Sequence, residues 1–456
     1  MMKESKPMMS DFELSLVAAR PALLAGDANT VNILIRVQAP DAPKTGLPER
    51  PRLNLALVID RSGSMAGRPL HEAKRAASFI VESLKATDRA SVIAYDNEIK
   101  TVAASQPVTD KAHLKALIAQ IESRGNTNLH GGWLKGAEET ANHLATGFTS
   151  RVLLLSDGQA NEGLTDTDEI ATQCSKLADK GVSTSTYGLG ESFNEELMVA
   201  MARSGRGRGY YSESAESLIE RFQEEFALLS SLCARNVRLH LAPMPGVRAE
   251  MLNDYETAPD GSWRLPDLAY DGEAWAAVRL RVSGGSMPAT GDALNLLKAS
   301  VVYRDLDEAE CHLPEAMLAL PVKTAQEYLE TSEDESVLRR ISEAEAAKIQ
   351  EQASRAARHG DWEKVNQALE ETKVMAMHSP WLGEVVASLE GIAAQRDEVL
   401  YAKEAVYASQ NLSNQIRSKR ETARISDDIA EPMFLRRMAR QGRSSQSGEP
   451  AKPKEK

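Results

Sequence analysis

The chain has 456 residues, a formal net charge of −12 and 42% hydrophobic residues. Because one hydrophobic core rarely serves so long a chain, we expect about two to four domains. The acidic balance argues against a nucleic-acid-binding body, since a phosphate backbone is held mainly by clustered Lys and Arg. Cys174, Cys233 and Cys311 form no CxxC pair, so we expect a reducing compartment and neither a disulfide framework nor a cysteine zinc site.

Residues 1–11 are predicted to be a flexible N-terminus. They carry Lys3, Glu4 and Lys6 where a signal peptide needs an apolar run. No later stretch approaches the length of a membrane span. The expectation is therefore a cytoplasmic protein without membrane contact.

Two β-like runs, FELSLVA and TVNILIRV, lie between Phe12 and Val37. A Pro and a Gly-Asp-Ala turn region separate them, which predicts a hairpin. Residues 38–52 contain four prolines among mostly polar side chains, which is typical of a linker.

Short apolar runs then alternate with amphipathic helical segments. This alternation is typical of a mostly parallel, doubly wound sheet covered by helices on both faces, and it predicts one α/β domain over residues 51–232. The predicted strands are LNLALVID, ASVIAYD, IKTVAA, RVLLLSD, VSTSTYGLG and GRGYYSE, and the predicted helices span about 69–85, 111–121, 131–145, 168–180, 194–201 and 215–231.

After Ala234 the pattern changes to β-like alternation with frequent turns, as in AWAAVRLRVSGG and LNLLKASVVYRD. An isolated hairpin is marginal in water, so we expect the N-terminal hairpin to pair with this later sheet. Residues 12–50 and 233–324 would then form a discontinuous β-sandwich, into which the α/β domain is inserted.

Residues 325–424 are predicted to be an α-helical region. Apolar residues recur there at helical spacing, and Pro380 breaks the pattern between two helices. Only one segment resembles a helical repeat, so a small bundle is favoured over a solenoid. Residues 425–456 are predicted to be a disordered basic tail, with seven basic and two acidic residues after Leu435. This tail is either a solvated end or a docking arm for an acidic partner.

Oxygen-bearing side chains follow two predicted parallel strands. The strand LNLALVID ends in Asp60, Ser62 and Ser64, a D-x-S-x-S arrangement, and RVLLLSD ends in Asp157. Thr127 lies in a further loop, RGNTNLHGG. Open α/β sheets bind ligands at the carboxyl ends of their strands, so all three loops are expected to open on the same edge.

These pieces, their order and their spacing closely resemble the von Willebrand factor A family over about 180 residues. The resemblance implies a metal-ion-dependent adhesion site. In that site Ser62 and Ser64 match the two hydroxyl ligands, and Thr127 matches the third, conformation-dependent hydroxyl. Asp60 and Asp157 match the carboxylates that usually act through water.

Hydroxyl, carboxylate and water oxygens suit a hard cation, Mg²⁺ first, with Mn²⁺ or Ca²⁺ as alternatives. With neutral hydroxyls as direct ligands, the ion would keep much of its charge and attract an Asp or Glu of a protein partner. The family resemblance also suggests that binding is coupled to movement of the last helix, which leads into the sandwich.

Three other residues stand near these motifs. Arg61 and Arg68 are expected beside the metal, where either could contact an acidic partner, and His130 could reach the rim of the site or face solvent. Gly188-Leu189-Gly190 mimics the start of a dinucleotide fingerprint, but the third glycine position is Phe193, so no cofactor site is expected.

The leading hypothesis is a cytoplasmic, non-enzymatic binding and scaffold protein. Relatives of the bacterial, cytoplasmic kind commonly work beside AAA+ ATPases or in signalling clusters with Ser/Thr kinases and phosphatases, so the resemblance implies a partner of that class. One alternative is a metal-dependent hydrolase that uses the same ion. Another is an adaptor whose helical region or basic tail carries the main contact.

Overall fold

A computed structural model describes residues 12–42, 50–157, 160–189, 194–212, 215–286, 288–413 and 417–418. The chain divides into two compact units, Met1–Ser332 and Glu333–Lys456, which are described separately. The predicted flexible N-terminus, residues 1–11, and the predicted basic tail, residues 425–456, lie outside the described residues.

The chain begins with three strands, β1 (Glu13–Ala18), β2 (Leu23–Leu24) and β3 (Asn29–Gln38). β1 and β3 pair antiparallel, so the N-terminal hairpin predicted from the sequence is present. Along β3, Val31, Ile33 and Ile35 are buried at every second position, as expected for a face on a core, and Leu34 on the opposite face is buried as well.

The α/β domain contains a sheet with the strand order β6-β5-β4-β7-β8-β9. All neighbours are parallel except β5 and β6, which pair antiparallel at the edge. Its strands are β4 (Arg52–Asp60), β5 (Arg89–Tyr95), β6 (Ile99–Pro107), β7 (Phe148–Ser156), β8 (Val182–Leu189) and β9 (Arg206–Ser212), and its helices are α1 (Arg68–Ser83), α2 (Lys111–Ala119), α3 (Leu129–Ala141), α4 (Thr167–Asp179), α5 (Glu195–Ser204) and α6 (Ala215–Ser230).

Local sequence explains where these elements begin. β4 is buried at every position after Arg52, because helices cover both faces of the sheet. Four helices begin after an Asp or Asn whose side chain accepts a hydrogen bond from a backbone N–H of the first turn, which satisfies one of the unpaired donors there. These capping residues are Asp110, Asn128, Asp166 and Asn194.

The strands after the α/β domain form two sheets together with the N-terminal strands. One sheet has the path β1-β3-β14-β11 and the other β12-β10-β15-β17-β2. Residues of both sheets share one apolar cluster, including Ile33 and Val278 of the first sheet and Leu239 and Val301 of the second. The strands are β10 (Leu232–Pro243), β11 (Val247–Met251), β12 (Trp263–Arg264), β13 (Leu268–Ala269), β14 (Gly272–Val282), β15 (Ala293–Arg304), β16 (Glu310–His312) and β17 (Ala316–Lys323).

Helices dominate the chain after β17. The helix break predicted at Pro380 is confirmed, since α9 ends at Ala376 and α10 begins at Pro380. In the second unit α8 packs against α9 and α11, and α10 packs against α9 and α11, which makes a four-helix bundle. Within the described ranges, no helix is both long and apolar enough to cross a bilayer. The helices are α7 (Ala325–Glu330), α8 (Glu335–Arg358), α9 (Trp362–Ala376), α10 (Pro380–Gln395) and α11 (Glu398–Ser413).

Candidate metal centre

Asp60 is the last residue of β4 and is completely buried. One carboxylate oxygen, Oδ1, accepts the backbone N–H of Ser62 at 2.9 Å. The other, Oδ2, accepts the hydroxyl of Ser156 at 2.5 Å and that of Tyr95 at 3.2 Å. Three donors from three segments of chain therefore fix the orientation of this carboxylate.

Ser62 and Ser64 follow in the loop between β4 and α1. Their hydroxyl oxygens lie 3.1 Å apart. Two oxygen ligands at adjacent corners of an octahedron with bonds of about 2.1 Å are separated by about 3 Å, so this spacing fits two ligands of one Mg²⁺ ion. Ser62 is buried and Ser64 is exposed, which makes Ser64 the solvent-facing hydroxyl of the pair.

Thr127 lies in the loop between α2 and α3 and is buried. This loop contacts the serine loop, because the N–H of Gly63 donates to the carbonyl of Gly125 at 3.0 Å. It also contacts the loop after β7, where the side-chain carbonyl of Asn161 accepts the N–H of Thr127 at 2.8 Å. The three loops thus meet at one edge of the sheet, as the sequence predicted.

Asp157 directly follows β7 and is 7% exposed. Burial, together with repulsion from the nearby Asp157 carboxylate, raises the pKa of Asp60 to about 6. Two buried carboxylates that repel each other favour a cation between or beside them. Residues 158–159 of the same loop lie outside the described residues.

The donor set of the five predicted residues consists of hydroxyl and carboxylate oxygens. This chemistry suits Mg²⁺, Mn²⁺ or Ca²⁺ better than a soft metal. Across the described ranges, no group of three or more His, Cys, Asp and Glu residues could hold a metal. The oxygen chemistry of the five predicted residues is compatible with a hard ion.

Arg61 corrects one expectation from the sequence. Its side chain does not point outward beside the site but is buried, 3.0 Å from the carboxylate of Asp96. Arg124 pairs with the same Asp96 at 2.8 Å, so the carboxylate joins two loops of the site. Arg68, by contrast, is exposed at the start of α1.

His130 neither reaches the serine pair by any described contact nor faces open solvent. It lies in the first turn of α3 and is half-buried. One of its ring nitrogens lies 2.9 Å from the side-chain oxygen of Gln173 on α4. The residue therefore links two helices next to the Thr127 loop.

Sequence reasoning missed the residues that hold Asp60 in place, Tyr95 and Ser156. Each is the last residue of a strand next to β4 in the sheet. A polar residue at the end of a neighbouring strand was the available signal, because the ends of adjacent parallel strands meet at one edge.

Comparison with known proteins agrees with this geometry. Residues 54–225 match the family model of the von Willebrand factor type A domain. An uncharacterised protein of Synechocystis is 31% identical over 236 residues, which are 51% of this chain and 54% of that protein. The human inter-alpha-trypsin inhibitor heavy chain H3 is 29% identical over 195 residues, 40% of this chain and 22% of that one. The chain thus spans about half the length of the Synechocystis relative and less of the inhibitor chain.

Two solved structures share the fold over most of the chain. A von Willebrand factor type A protein from Catenulispora acidiphila is similar with a TM-score of 0.70 and 17% identity, covering 89% of this chain and 97% of that one. The ArnB paralog VWA2 from Sulfolobus acidocaldarius is similar with a TM-score of 0.59 and 18% identity, covering 88% and 99%. The strand order, the family match and these neighbours agree that residues 54–225 of this chain are a von Willebrand factor A domain.

Proposed function

We propose that this chain is a non-enzymatic binding and scaffold protein that holds a partner through a divalent cation. Ser62, Ser64 and Thr127 would be the hydroxyl ligands, and Asp60 and Asp157 would act through water. The observation that carries the proposal is the 3.1 Å spacing of the serine hydroxyls beside the buried Asp60. A match to protein-interaction domains such as that of the inhibitor heavy chain supports the same class of role.

The residues of the site have distinct tasks in this mechanism. Asp60, held by Ser62, Ser156 and Tyr95, supplies a fixed negative charge below the serines. Ser64 is exposed and stands where a partner can approach. When bound, a divalent cation supplies the positive charge that attracts a carboxylate of the partner. The partner would therefore present an Asp or Glu.

The helix that follows the serines supports an acidic partner. Arg68, His71 and Arg75 lie on one face of α1, at the spacing of successive helical turns. Their side chains are 73%, 68% and 44% exposed, around the largely buried carboxylate of Glu72. The whole chain has a net charge of −12, so this basic face near the serines differs in charge from the rest of the protein.

Direct measurement of metal binding tests the first step. Isothermal titration with Mg²⁺ and Mn²⁺ is expected to show one site in the wild type, and a Ser62→Ala, Ser64→Ala double variant is expected to lose it. Ser83→Ala on α1 is the control, because that hydroxyl bonds only a carbonyl of its own helix in the described contacts. Equal binding by all three proteins would refute the proposed ligand set.

Partner recovery tests the second step. A pull-down from native lysate with Mg²⁺ or with EDTA should recover a partner only from wild type and only with metal. Reversing the basic face with Arg68→Glu and Arg75→Glu should weaken recovery without loss of metal binding. A partner that binds equally in EDTA would eliminate the metal bridge.

The absence of catalysis is part of the proposal and has its own test. His130, the histidine next to the Thr127 loop, is engaged with Gln173, which supports binding over general-base chemistry at this site. A panel of phosphoesters and peptides is expected to remain uncleaved with Mg²⁺ present. Turnover that disappears in Asp60→Ala would instead establish the metal-dependent hydrolase.

We also propose an intracellular location beside an AAA+ ATPase or a Ser/Thr kinase and phosphatase system. Three free cysteines, two of them buried, support a reducing compartment. Fractionation of cells producing the tagged chain tests the location, and identification of the metal-dependent partner by mass spectrometry tests its class.

A further inference from the structure

A polar cleft of about 290 Å³ lies between the α/β domain and the β-sheets that follow it. The α/β domain contributes Asp179 at the end of α4 and Arg206 at the start of β9. The sheets contribute Arg238 of β10, Arg264 of β12 and neighbouring loop residues. The remaining lining residues are Asn236, Ala258, Pro259 and Asp260.

Three arginines converge on this cleft, where two aspartates offset them in part. Arg206 and Arg264 both pair with the carboxylate of Asp179. Arg238 donates to Asp260 at 2.9 Å and also to Glu310 at 3.2 Å, outside the lining. The lining itself therefore carries three cations and two anions.

Two of these arginines stand opposite each other in the sheet. Arg238 and Arg264 are direct neighbours in the antiparallel pairing of β10 with β12. Like charges at such positions destabilise a pair of strands. Asp260 and Asp179 already offset this repulsion in part, and an anion between the two guanidinium groups would offset it further.

Each of the three arginines also has one buried hydrogen-bond donor without an acceptor. The Nε atoms of Arg206, Arg238 and Arg264 are buried and have no acceptor among the residues that the structure describes. The side chain of Arg264 is only 10% exposed. Buried cationic groups with an unpaired donor are costly, and an anion in the cleft would offset part of this cost through its charge without contacting Nε.

The backbone of the cleft is unusual as well. Arg206 and Asn236 have φ angles of 53° and 51°, in the left-handed region that residues other than glycine rarely adopt. Asn tolerates this conformation, and the N–H of Asn236 donates to Asp267 at 2.9 Å. For Arg206 the conformation carries a cost, and its side chain pairs with Asp179.

We propose that this cleft binds a small phosphate-bearing anion, either free phosphate or a phosphate monoester. Planar guanidinium groups match the oxygens of a phosphate in pairs, and three of them converge here. The volume lies at the lower end of the range for small-molecule pockets, which favours a compact ligand over a nucleotide. The inference is independent of the metal site.

A bound phosphate would touch both parts of the first unit. Arg206 belongs to the α/β domain, and Arg238 and Arg264 belong to the strands that follow it. The ligand would therefore strengthen a junction at which Arg264 already pairs with Asp179. Stabilisation of the native chain by phosphate is the expected consequence.

Titration of the full chain with inorganic phosphate, in EDTA and at constant ionic strength, tests the proposal. Wild type is expected to bind, and Arg238→Gln and Arg264→Gln are each expected to weaken binding at least about tenfold, the loss of one charge-assisted contact. Arg281→Gln, which alters an exposed arginine of the same unit, is the control and should bind as wild type. Failure of wild type to bind, or equal binding by all variants, would overturn the site.

One further variant separates binding from folding. Asp260→Asn keeps oxygen for the turn at Ser262 but removes a negative charge from the cleft, so phosphate binding is expected to strengthen several-fold. If Asp260 only supported the fold, Asp260→Asn would weaken phosphate binding or leave it unchanged, and either result would count against the site. Glycerol 3-phosphate, titrated in parallel, distinguishes the two ligand sources: tighter binding than phosphate identifies a monoester site, and weaker binding identifies a site for the free ion.

Discussion

Arg61 shows how two similar residues near one site can have opposite roles. From the sequence, Arg61 and Arg68 were equal candidates for contact with an acidic partner. In the structure Arg61 is buried against Asp96, whereas the side chain of Arg68 is 73% exposed. The sequence could not distinguish them, because Asp96 follows another strand, and only the fold brings it beside Arg61.

This contrast predicts separate effects for the two arginines. Arg61→Ala is expected to lower the free energy of unfolding by about 2 kcal/mol, because a buried carboxylate loses one of its two cationic partners. Arg68→Ala should leave stability nearly unchanged but weaken partner recovery. Chemical denaturation measures the stability of each variant, and the pull-down measures partner recovery. If Arg68→Ala were destabilised and Arg61→Ala were not, the roles assigned to the two arginines would be wrong.

Ser156 and Tyr95 position Asp60 without being predicted ligands. Ser156→Ala is expected to weaken Mg²⁺ binding about 10-fold or more, since loss of a hydrogen bond that orients a group around a metal ion commonly costs that much. Tyr95→Phe should do the same to a smaller extent, because its hydrogen bond is longer, 3.2 Å against 2.5 Å. Calorimetric titration ranks the variants, and affinities equal to that of Ser83→Ala would contradict this role.

The site residues were predictable for a simple physical reason. Asp60, Ser62 and Ser64 lie within five residues of one another, and Asp157 directly follows another strand of the same sheet, so sequence order nearly determines their placement. Tyr95 and Ser156 become visible only once the order of the strands is known. The five ligand positions remain predictions that the metal titration decides.

At the scale of elements, the helices of the α/β domain begin and end within a few residues of the predicted bounds. The helix predicted at 131–145, for example, is α3 at Leu129–Ala141, which begins after the capping Asn128. Several strands of two or three residues, among them β2, β12, β13 and β16, were not predicted. Such strands are too short to show a period, and they form because another strand pairs with them: β15 in a local hairpin for β16, and strands farther away in the chain for β2, β12 and β13.

Two glycines let α3 pack closely on the sheet. A Cβ atom at Gly136 would lie 2.3 Å from the side chain of Val58, and one at Gly132 would lie 2.4 Å from the ring of Tyr95. Gly136→Ala is therefore expected to destabilise the domain by about 1–3 kcal/mol through overpacking. Gly391→Ala on α10 meets no atom within 4 Å and should stabilise its helix by about 0.5–1 kcal/mol. Hydrogen exchange tests both predictions: it should become faster in α3 peptides of Gly136→Ala and slower in α10 peptides of Gly391→Ala.

A buried ion pair holds α6 against the sheet. Arg151 of β7 pairs with Glu225 of α6, and Ser185 donates to the same carboxylate at 2.6 Å. Glu225→Gln is expected to lower the free energy of unfolding by about 3–5 kcal/mol, because Arg151 then remains buried without its counter-charge. A combined Arg151→Met, Glu225→Leu variant should recover most of this loss in urea unfolding. If the double variant recovers no stability, the hydrogen bonds of the surrounding hydroxyls, and not the charge pair, account for the loss.

At the scale of the whole molecule, the fold depends on strands that pair although they lie far apart in the sequence. β3 pairs with β14 along ten residue positions, although the whole α/β domain separates them in the chain. The sequence suggested this arrangement only through an indirect argument, namely that an isolated hairpin needs a partner. The pairing itself depends on register, which composition does not encode.

Division into two units predicts the result of truncation. A chain that ends at Ser332 retains the five predicted ligand residues and all strands from β1 to β17. It is expected to fold, to bind Mg²⁺ with unchanged affinity and to recover the same partner. If the shortened chain binds metal but loses the partner, the adaptor alternative, in which the helical region carries the contact, is favoured. Circular dichroism confirms folding in either case.

The connection between α6 and β10 has a mechanical consequence. α6 ends at Ser230 and β10 begins at Leu232, so a single residue, Ser231, joins them. The Cα atoms of Ser230 and Leu232 are two peptide steps apart and can be separated by at most about 7 Å, little more than the 5.4 Å rise of one helical turn. So short a segment can lengthen by much less than one turn, so a shift of α6 by a full turn would have to move the start of β10 or break hydrogen bonds that pair β10 with its neighbours.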